Sequence, residues 1–383
     1  MSKRLYVYAW DFIDEGLDEV LGRIRSLGMD GIAMAVSYHA GKFILPHNPN
    51  HRIYFPEDGT VYFRPRAGYY PGPIKPEPAS ILGTGDILAE VADGCKRFGL
   101  SLTAWTVCMH NTRLGTKHPE FTARNAYGDR YLYCLCPAQP AASEYALGMI
   151  RDLTENYDLE TVFLEALGYM GFAHRFHHEI YGVRLNACQE WLLSLCFCDA
   201  RSAKAAESGI DAGRVAEIVR QNLAPAFASD VEQEGCDFTE LVDRHPELAA
   251  HLRMRCDVVI GLLEKAREIA ARNGAKTDYF GPSPCSRALP EATDIARAGA
   301  IADHYVLPIG TPDLASIRAD IERVRESVAS DKIILSINLG MTATPTRANY
   351  LDKMALLDEY GLSGCNLYNY SILPFERLEW LAH

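Results

Sequence analysis

The sequence predicts an α/β fold, a closed (β/α)8 TIM barrel with a helical insertion after the fourth strand and a long loop after the second. Eight short β-rich runs alternate with helical stretches along the 383 residues, which is the pattern of a parallel sheet. The first run lies near the N-terminus and a helix closes the chain, which favours a barrel. An open doubly wound sheet is the alternative, but no G-x-G-x-x-G turn follows an early strand.

The eight predicted strands are residues 5–11, 31–39, 101–109, 161–168, 277–283, 303–310, 332–340 and 365–371. Between the first two, residues 15–28 repeat apolar side chains at helical spacing, since Leu17, Val20, Leu21 and Ile24 share one face. Helical patterns likewise follow most of the other strands. Each strand is therefore expected to be followed by a helix or by a long excursion.

We predict one domain, residues 1–383, in which residues 169–274 form a helical cap. The loop after the second strand, residues 40–80, holds eight prolines and an Asp58-Gly59 turn signal. This signal predicts a hairpin that pairs residues 54–55 with residues 61–63. Both excursions follow strands, so both are expected at the C-terminal rim, where barrel enzymes carry their sites.

Charge and composition exclude several classes of protein. Acidic side chains number 50 against 38 basic ones, a formal net charge of -12, which argues against nucleic acid or an anionic membrane as partner. No run of 18 apolar residues predicts a membrane span, and no leader pattern opens the chain. We expect a cytoplasmic protein. The sequence is compatible with a homo-oligomer.

The eleven cysteines are scattered along the chain. Cys134/Cys136 and Cys196/Cys198 are C-x-C pairs, and neither pair has the C-x-x-C spacing of a zinc ribbon or a redox motif. We therefore interpret these side chains as buried, small and apolar.

Glu165 is the sharpest chemical signal. It ends an apolar run, VFLEAL, where an unpaired carboxylate is costly. The functional interpretation is a general acid/base or nucleophile. The structural alternative is a carboxylate paired with an arginine of a neighbouring strand.

Other polar residues are expected to gather near the strand ends. Asp11 and Asp278 are the further catalytic candidates. Asp11 is taken to share an inward face with Val7 and Ala9, whereas the face of Asp278 is ambiguous. The candidates for substrate binding are His39, Trp105, His110, Tyr169, His177, His178, Glu179, Asn338 and Tyr370.

Several longer motifs resemble a known group of proteins. WDFIDEG (10–16), SYHAGKFILPHNP (37–49), HPEFTARNAYGDR (118–130) and LEALGYMGFAHRFHHEIYG (164–182) look like an uncharacterised class of glycoside-hydrolase-like TIM-barrel proteins. That class is similar to the barrels of bacterial β-galactosidases and related clan A glycosidases. The resemblance covers nearly the whole chain and implies that Glu165, by its position, is the acid/base.

The sequence departs from the clan at two positions. The clan's asparagine before the acid/base is Leu164 here, and its nucleophile, a glutamate ending the seventh strand, is replaced by Asn338. The two-carboxylate retaining mechanism therefore does not carry over. The second group is sought among Asp11, Asp278 and Glu179.

These observations predict a glycoside hydrolase-like enzyme, an O-glycosyl hydrolase, that cleaves a small glycoside or oligosaccharide by carboxylate acid/base catalysis. The expected partner is this carbohydrate, and no cofactor is expected. One alternative is a metal-dependent sugar lyase or isomerase in which histidines and carboxylates hold a divalent ion. The other is a sugar-binding barrel without catalysis.

Overall fold

Eight parallel strands form a closed barrel in the computed structural model, which describes residues 1–174, 176, 178–229 and 237–382. Each strand pairs with the next along the chain, and the eighth pairs with the first. This closure confirms the predicted (β/α)8 fold. The strands are β1 (Ser2–Val7), β2 (Gly31–Tyr38), β3 (Ser101–Val107), β4 (Thr161–Glu165), β5 (Lys276–Phe280), β6 (His304–Ile309), β7 (Ile333–Asn338) and β8 (Gly364–Tyr368).

Helices surround the barrel and fill the excursions between its strands. They are α1 (Ala9–Glu15), α2 (Leu17–Ser26), α3 (Ile87–Phe98), α4 (Thr112–Lys117), α5 (Pro140–Asn156), α6 (Ala187–Leu193), α7 (Asp199–Glu207), α8 (Ala212–Phe227), α9 (Phe238–Arg244), α10 (Pro246–Arg272), α11 (Ile295–Ile301), α12 (Leu314–Arg325), α13 (Arg347–Tyr360) and α14 (Phe375–Leu378). No helix within the described ranges is both long and apolar enough to cross a membrane.

The insertion after β4 has a core of its own. Apolar side chains of α6, α8 and α9 pack with Leu248 and Leu252, near the start of α10. Further along the same helix, Val259 and Leu263 belong to the barrel core, and α10 packs against α5, α11 and β5. The predicted cap, 169–274, therefore includes α10, but the second half of α10 belongs to the ring of helices around the barrel.

The loop 40–80 does not form the predicted hairpin. Residues Ile53–Tyr54 pair with Phe43–Ile44, while Thr60–Val61 pair with the end of β2. The two sides of the Asp58-Gly59 turn thus pair with different strands rather than with each other. The turn itself forms, with Gly59 at φ 63°.

Inside the barrel, the lower layer is polar and largely buried. Arg4 donates to Asp278 over 2.8 Å and to Thr103 over 3.0 Å. His304 lies 2.8 Å from the other oxygen of Asp278. These side chains cross-link four strands below the level of Glu165.

Candidate active site

A cavity of about 300 Å³ opens at the carboxyl ends of the strands. Glu165 is the only carboxylate among the described residues that line it. The remaining walls are aromatic, apolar and neutral polar side chains: Tyr6, Tyr38, Trp105, Phe280, Pro308, Ile309, Gly310, Ser336, Asn338 and Tyr368. Because all eight barrel strands contribute to this lining, the fold itself fixes the cavity.

Glu165 ends β4, and its carboxylate points into this cavity. Burial raises its pKa from 4.5 to about 7, although Trp105 opposes the shift. The indole Nε1 of Trp105 donates to Glu165 Oε2 over 2.5 Å, and a donor favours the ionised carboxylate. A carboxyl group with this pKa exchanges a proton near neutral pH, as a general acid requires.

Tyrosine and tryptophan rings form the floor of the cavity. The Tyr6 ring lies 4.8 Å from Trp105 and 5.4 Å from Tyr368. The Tyr8 hydroxyl is 2.9 Å from the hydroxyls of Tyr38 and Tyr368. Flat rings with hydroxyl edges suit a ligand that has both apolar faces and hydroxyl groups.

Two of these tyrosines, Tyr6 and Tyr38, were not among the predicted site residues, and Val7 does not face inward as expected. In β1, Arg4 and Tyr6 face inward, so Val7 faces the helices. In β2, the register shifts between Ala35 and Ser37, and this bulge turns Tyr38 toward the cavity. The Ser37 hydroxyl instead bonds the backbone of Val107. Nothing in the sequence marks the bulge.

A wider groove of about 530 Å³ adjoins the cavity, and Glu165 lines both. Tyr169, one of the candidates for substrate binding, lines this groove together with two carboxylates that the sequence analysis did not name, Glu291 and Asp320. Glu291 pairs with Arg287, yet burial still raises the pKa of Glu291. Asp320 accepts hydrogen bonds from the Cys285 amide and the Ser283 hydroxyl.

Asp11 is not at the end of a strand, because β1 stops at Val7 and Asp11 lies in the first turn of α1. Its carboxylate accepts from the Tyr8 amide over 2.8 Å and from the Ser371 hydroxyl over 2.5 Å. Burial raises its pKa to about 7. Asp11 is absent from the walls of the cavity and the groove, so its interactions are those of a helix cap.

Tyr370 and Asp278 also lie outside the cavity and the groove. The Tyr370 hydroxyl donates to Glu15 over 2.8 Å. Asp278 faces into the barrel, but in the polar layer below the cavity. Burial alone would raise its pKa, yet Arg4 and His304 hold the pKa below the ordinary value. A carboxylate held in this ion pair is suited to structure rather than to proton transfer.

Three histidines stand together beside the cavity. His39 stacks on Tyr38 at 4.3 Å and on His110 at 4.2 Å, and the Nε2 atoms of His110 and His174 are 3.1 Å apart. Burial lowers the pKa of His110 to about 2 and of His174 to about 4. These rings are therefore neutral near pH 7 and can donate or accept hydrogen bonds.

The segment after β4 forms a separate aromatic pocket of about 330 Å³, which includes the predicted His178 and Glu179 with Tyr133 and Phe172. Glu179 accepts from the Phe176 amide over 2.9 Å. His177 lies outside the described residues. Asn338 lines the main cavity, where its side-chain oxygen accepts from the Gly340 amide.

The histidines and carboxylates at the mouth do not converge on one point. Among the described residues, three groups able to ligate a metal come together only at Cys136, Cys196 and Cys198. A further surface cavity, of about 670 Å³, lies outside the barrel between α5, α7 and α10, and none of the predicted site residues lines it.

Comparisons with known proteins match structures rather than sequences. No family model matches the chain, and the curated proteins contain no match. The glycoside hydrolase domain of PgaB (BpsB) from Bordetella bronchiseptica is 13% identical, with a TM-score of 0.61, over 97% of this chain and 95% of that one.

Two further structures have the same architecture. A β-galactosidase from the psychrophilic Marinomonas ef1 is 11% identical with a TM-score of 0.55; the match covers all of this chain but only 58% of the β-galactosidase. The catalytic domain of β-amylase from Paenibacillus polymyxa is also 11% identical, with a TM-score of 0.52, over 96% of this chain and 91% of that one. At these identities, the predicted resemblance is confirmed for the fold: the chain has a barrel of the kind found in glycoside hydrolases.

Proposed function

We propose that this protein is a glycoside hydrolase-like enzyme that cleaves a small glycoside or oligosaccharide, with Glu165 as the proton donor. The observation that carries the proposal is Glu165 itself, a carboxyl group with a pKa raised to about 7 inside an aromatic cavity at the strand ends. The fold shared with glycoside hydrolases supports the same reaction class.

In this proposal the protonated Glu165 donates its proton to the glycosidic oxygen as the C–O bond breaks. The Trp105 N–H then stabilises the carboxylate that remains. The rings of Tyr6 and Trp105 support the apolar face of the sugar. Ser336 and Asn338, which line the same cavity, bind its hydroxyl groups.

A glycosidase also needs a group on the opposite face of the sugar. Glu291 and Asp320 both line the groove that Glu165 also borders, and we assign this role to Glu291. As a carboxylate, Glu291 would activate a water molecule. Asp320 is less suited, since both of its oxygens already accept hydrogen bonds from the chain.

A sugar-binding barrel without catalysis is the second candidate. It is favoured by one observation, that Glu165 is the only carboxylate among the described residues lining the inner cavity. Binding would use the same aromatic floor and would need no proton transfer.

A panel of aryl glycosides and short oligosaccharides tests both candidates. We expect turnover of at least one compound by the wild-type protein, and binding of that compound with little turnover by Glu165→Gln. Asp278→Asn is the matched control, since it changes a buried carboxylate outside the cavity and should leave the turnover per folded molecule nearly unchanged. Tight binding of a sugar by the wild-type protein, with no turnover of any compound, would favour the binding protein.

A further inference from the structure

The two C-x-C pairs of the sequence, far apart along the chain, meet in the fold. Cys136 follows the short strand Arg130–Leu135, while Cys196 and Cys198 lie in the link between α6 and α7. The Cys136 sulfur is 3.8 Å from that of Cys196 and 3.5 Å from that of Cys198. All three sulfurs lie within 4.8 Å of one another, and all three residues are buried.

This spacing suits three thiolates around one metal ion. With metal–sulfur bonds of about 2.3 Å and tetrahedral angles, two bound sulfurs are separated by about 3.8 Å. A trigonal arrangement separates them by about 4 Å. Within the described part of the chain no fourth cysteine, histidine or carboxylate joins the group, so the protein offers three ligands.

The surroundings of the thiols carry positive charge that lacks a partner. Arg201 and Arg255 are fully buried, and neither has an ion pair with a carboxylate of the described residues. Two of the Arg201 nitrogens, Nε and Nη2, have no hydrogen-bond partner there. Both guanidinium groups interact electrostatically with Cys136. Uncompensated buried charge is costly, so this site is built to hold negative charge.

We propose that Cys136, Cys196 and Cys198 bind one thiophilic ion, Zn²⁺ or Cu⁺. Binding releases the three thiol protons to solvent and changes no oxidation state. Three thiolates around Cu⁺ carry a net charge of −2, which Arg201 and Arg255 balance. Around Zn²⁺ the net charge is −1, and a water molecule completes a tetrahedral site.

The site has a structural consequence for the groove beside Glu165. The Tyr169 hydroxyl lies 4.0 Å from the Cys136 sulfur, and its ring packs against both arginines, at 4.8 Å from Arg201 and 4.5 Å from Arg255. A bound ion would therefore connect the α6–α7 link, through Cys196 and Cys198, to Cys136. This connection would lie directly beneath Tyr169, a residue of the groove.

Metal analysis of the full-length protein tests the proposal. The protein is reduced, incubated with Zn²⁺ or, anaerobically, with Cu⁺, desalted and analysed for retained metal. We expect about one ion per chain in the wild type and at least a tenfold weaker affinity in Cys136→Ala and Cys198→Ala. Cys95→Ala, which removes a buried thiol of α3 outside the cluster, should bind like the wild type. Equal retention by Cys95→Ala and Cys136→Ala would overturn the proposal.

X-ray absorption of the metal-loaded wild type keeps the test independent of how the variants fold. We expect about three sulfur neighbours at about 2.3 Å from the metal. A shell of nitrogen and oxygen neighbours alone would contradict the assignment. So would folded wild-type protein that retains no metal and instead forms a Cys136–Cys198 disulfide on mild oxidation, as mapped by mass spectrometry.

Discussion

The raised pKa of Glu165 makes stability depend on pH in a way that one substitution removes. The folded protein holds this proton up to about pH 7, whereas an unfolded glutamate loses it near 4.5. Between these values the folded state binds more protons, so the free energy of unfolding falls as pH rises. Linkage with these two pKa values gives a loss of about 2.5 kcal/mol between pH 5 and pH 8.

Glu165→Gln should remove this loss, because the amide does not titrate. Urea unfolding of both proteins at about pH 5 and pH 8 gives the change in the free energy of unfolding between the two pH values. Subtracting the change in the variant from the change in the wild type isolates Glu165, because the titrations common to both proteins cancel. We expect the wild type to lose about 2.5 kcal/mol relative to the variant.

The control is Glu160→Gln. The carboxylate of Glu160, at the other end of β4, pairs with Lys276 near the surface, and its pKa is lowered. The contribution of Glu160 to the change in the free energy of unfolding with pH should be small and opposite in sign to that of Glu165. Parallel pH profiles for the wild type and Glu165→Gln would show that Glu165 ionises like an exposed glutamate, and the reasoning about its burial would be wrong.

Three further predictions concern the neighbours of the site. Trp105→Phe removes the donor to Glu165 and should shift the basic limb of the kcat–pH profile upward; an unchanged limb would show that the indole does not tune the acid. Asp278→Asn leaves the buried Arg4 without its counter-charge, so urea unfolding should show a loss of about 3–5 kcal/mol, and no loss would contradict the ion pair. Gly59→Ala places a Cβ 2.0 Å from Asn111 Oδ1 at positive φ, which should cost about 1–3 kcal/mol in the same assay.

The alternation of strands and helices was sufficient to predict the barrel, because each strand is a short apolar run between recognisable helices. Glu165 could also be singled out from the sequence, because it ends an apolar run, where an unpaired carboxylate is costly. Glu291, which we propose as the second carboxylate, was not predictable, because it lies in the loop between β5 and α11, where no periodic pattern indicates which way a side chain points.

Two of the catalytic candidates, Asp278 and Asp11, make contacts that their positions in the sequence did not indicate. Asp278 is held by Arg4, which is 274 residues away along the chain. Asp11 accepts a hydrogen bond from the Tyr8 amide. This contact forms because β1 ends at Val7, earlier than its apolar run suggests, and α1 begins at Ala9. The ion pair of Asp278 with Arg4 leaves no local signature in the sequence. The inward turn of Tyr38 likewise depends on a bulge that only the pairing with β3 reveals.

The proposed proton transfer is tested most directly by how the loss of kcat/KM in Glu165→Gln depends on the leaving group. The measurement compares kcat/KM of wild type and variant across glycosides whose leaving groups range from an alkyl alcohol to a strongly acidic phenol. We predict a loss of about 10²- to 10⁴-fold, or about 2.7–5.5 kcal/mol, for poor leaving groups, shrinking toward none for the most acidic phenol, which needs no protonation. An equal loss for every leaving group would contradict Glu165 as the proton donor.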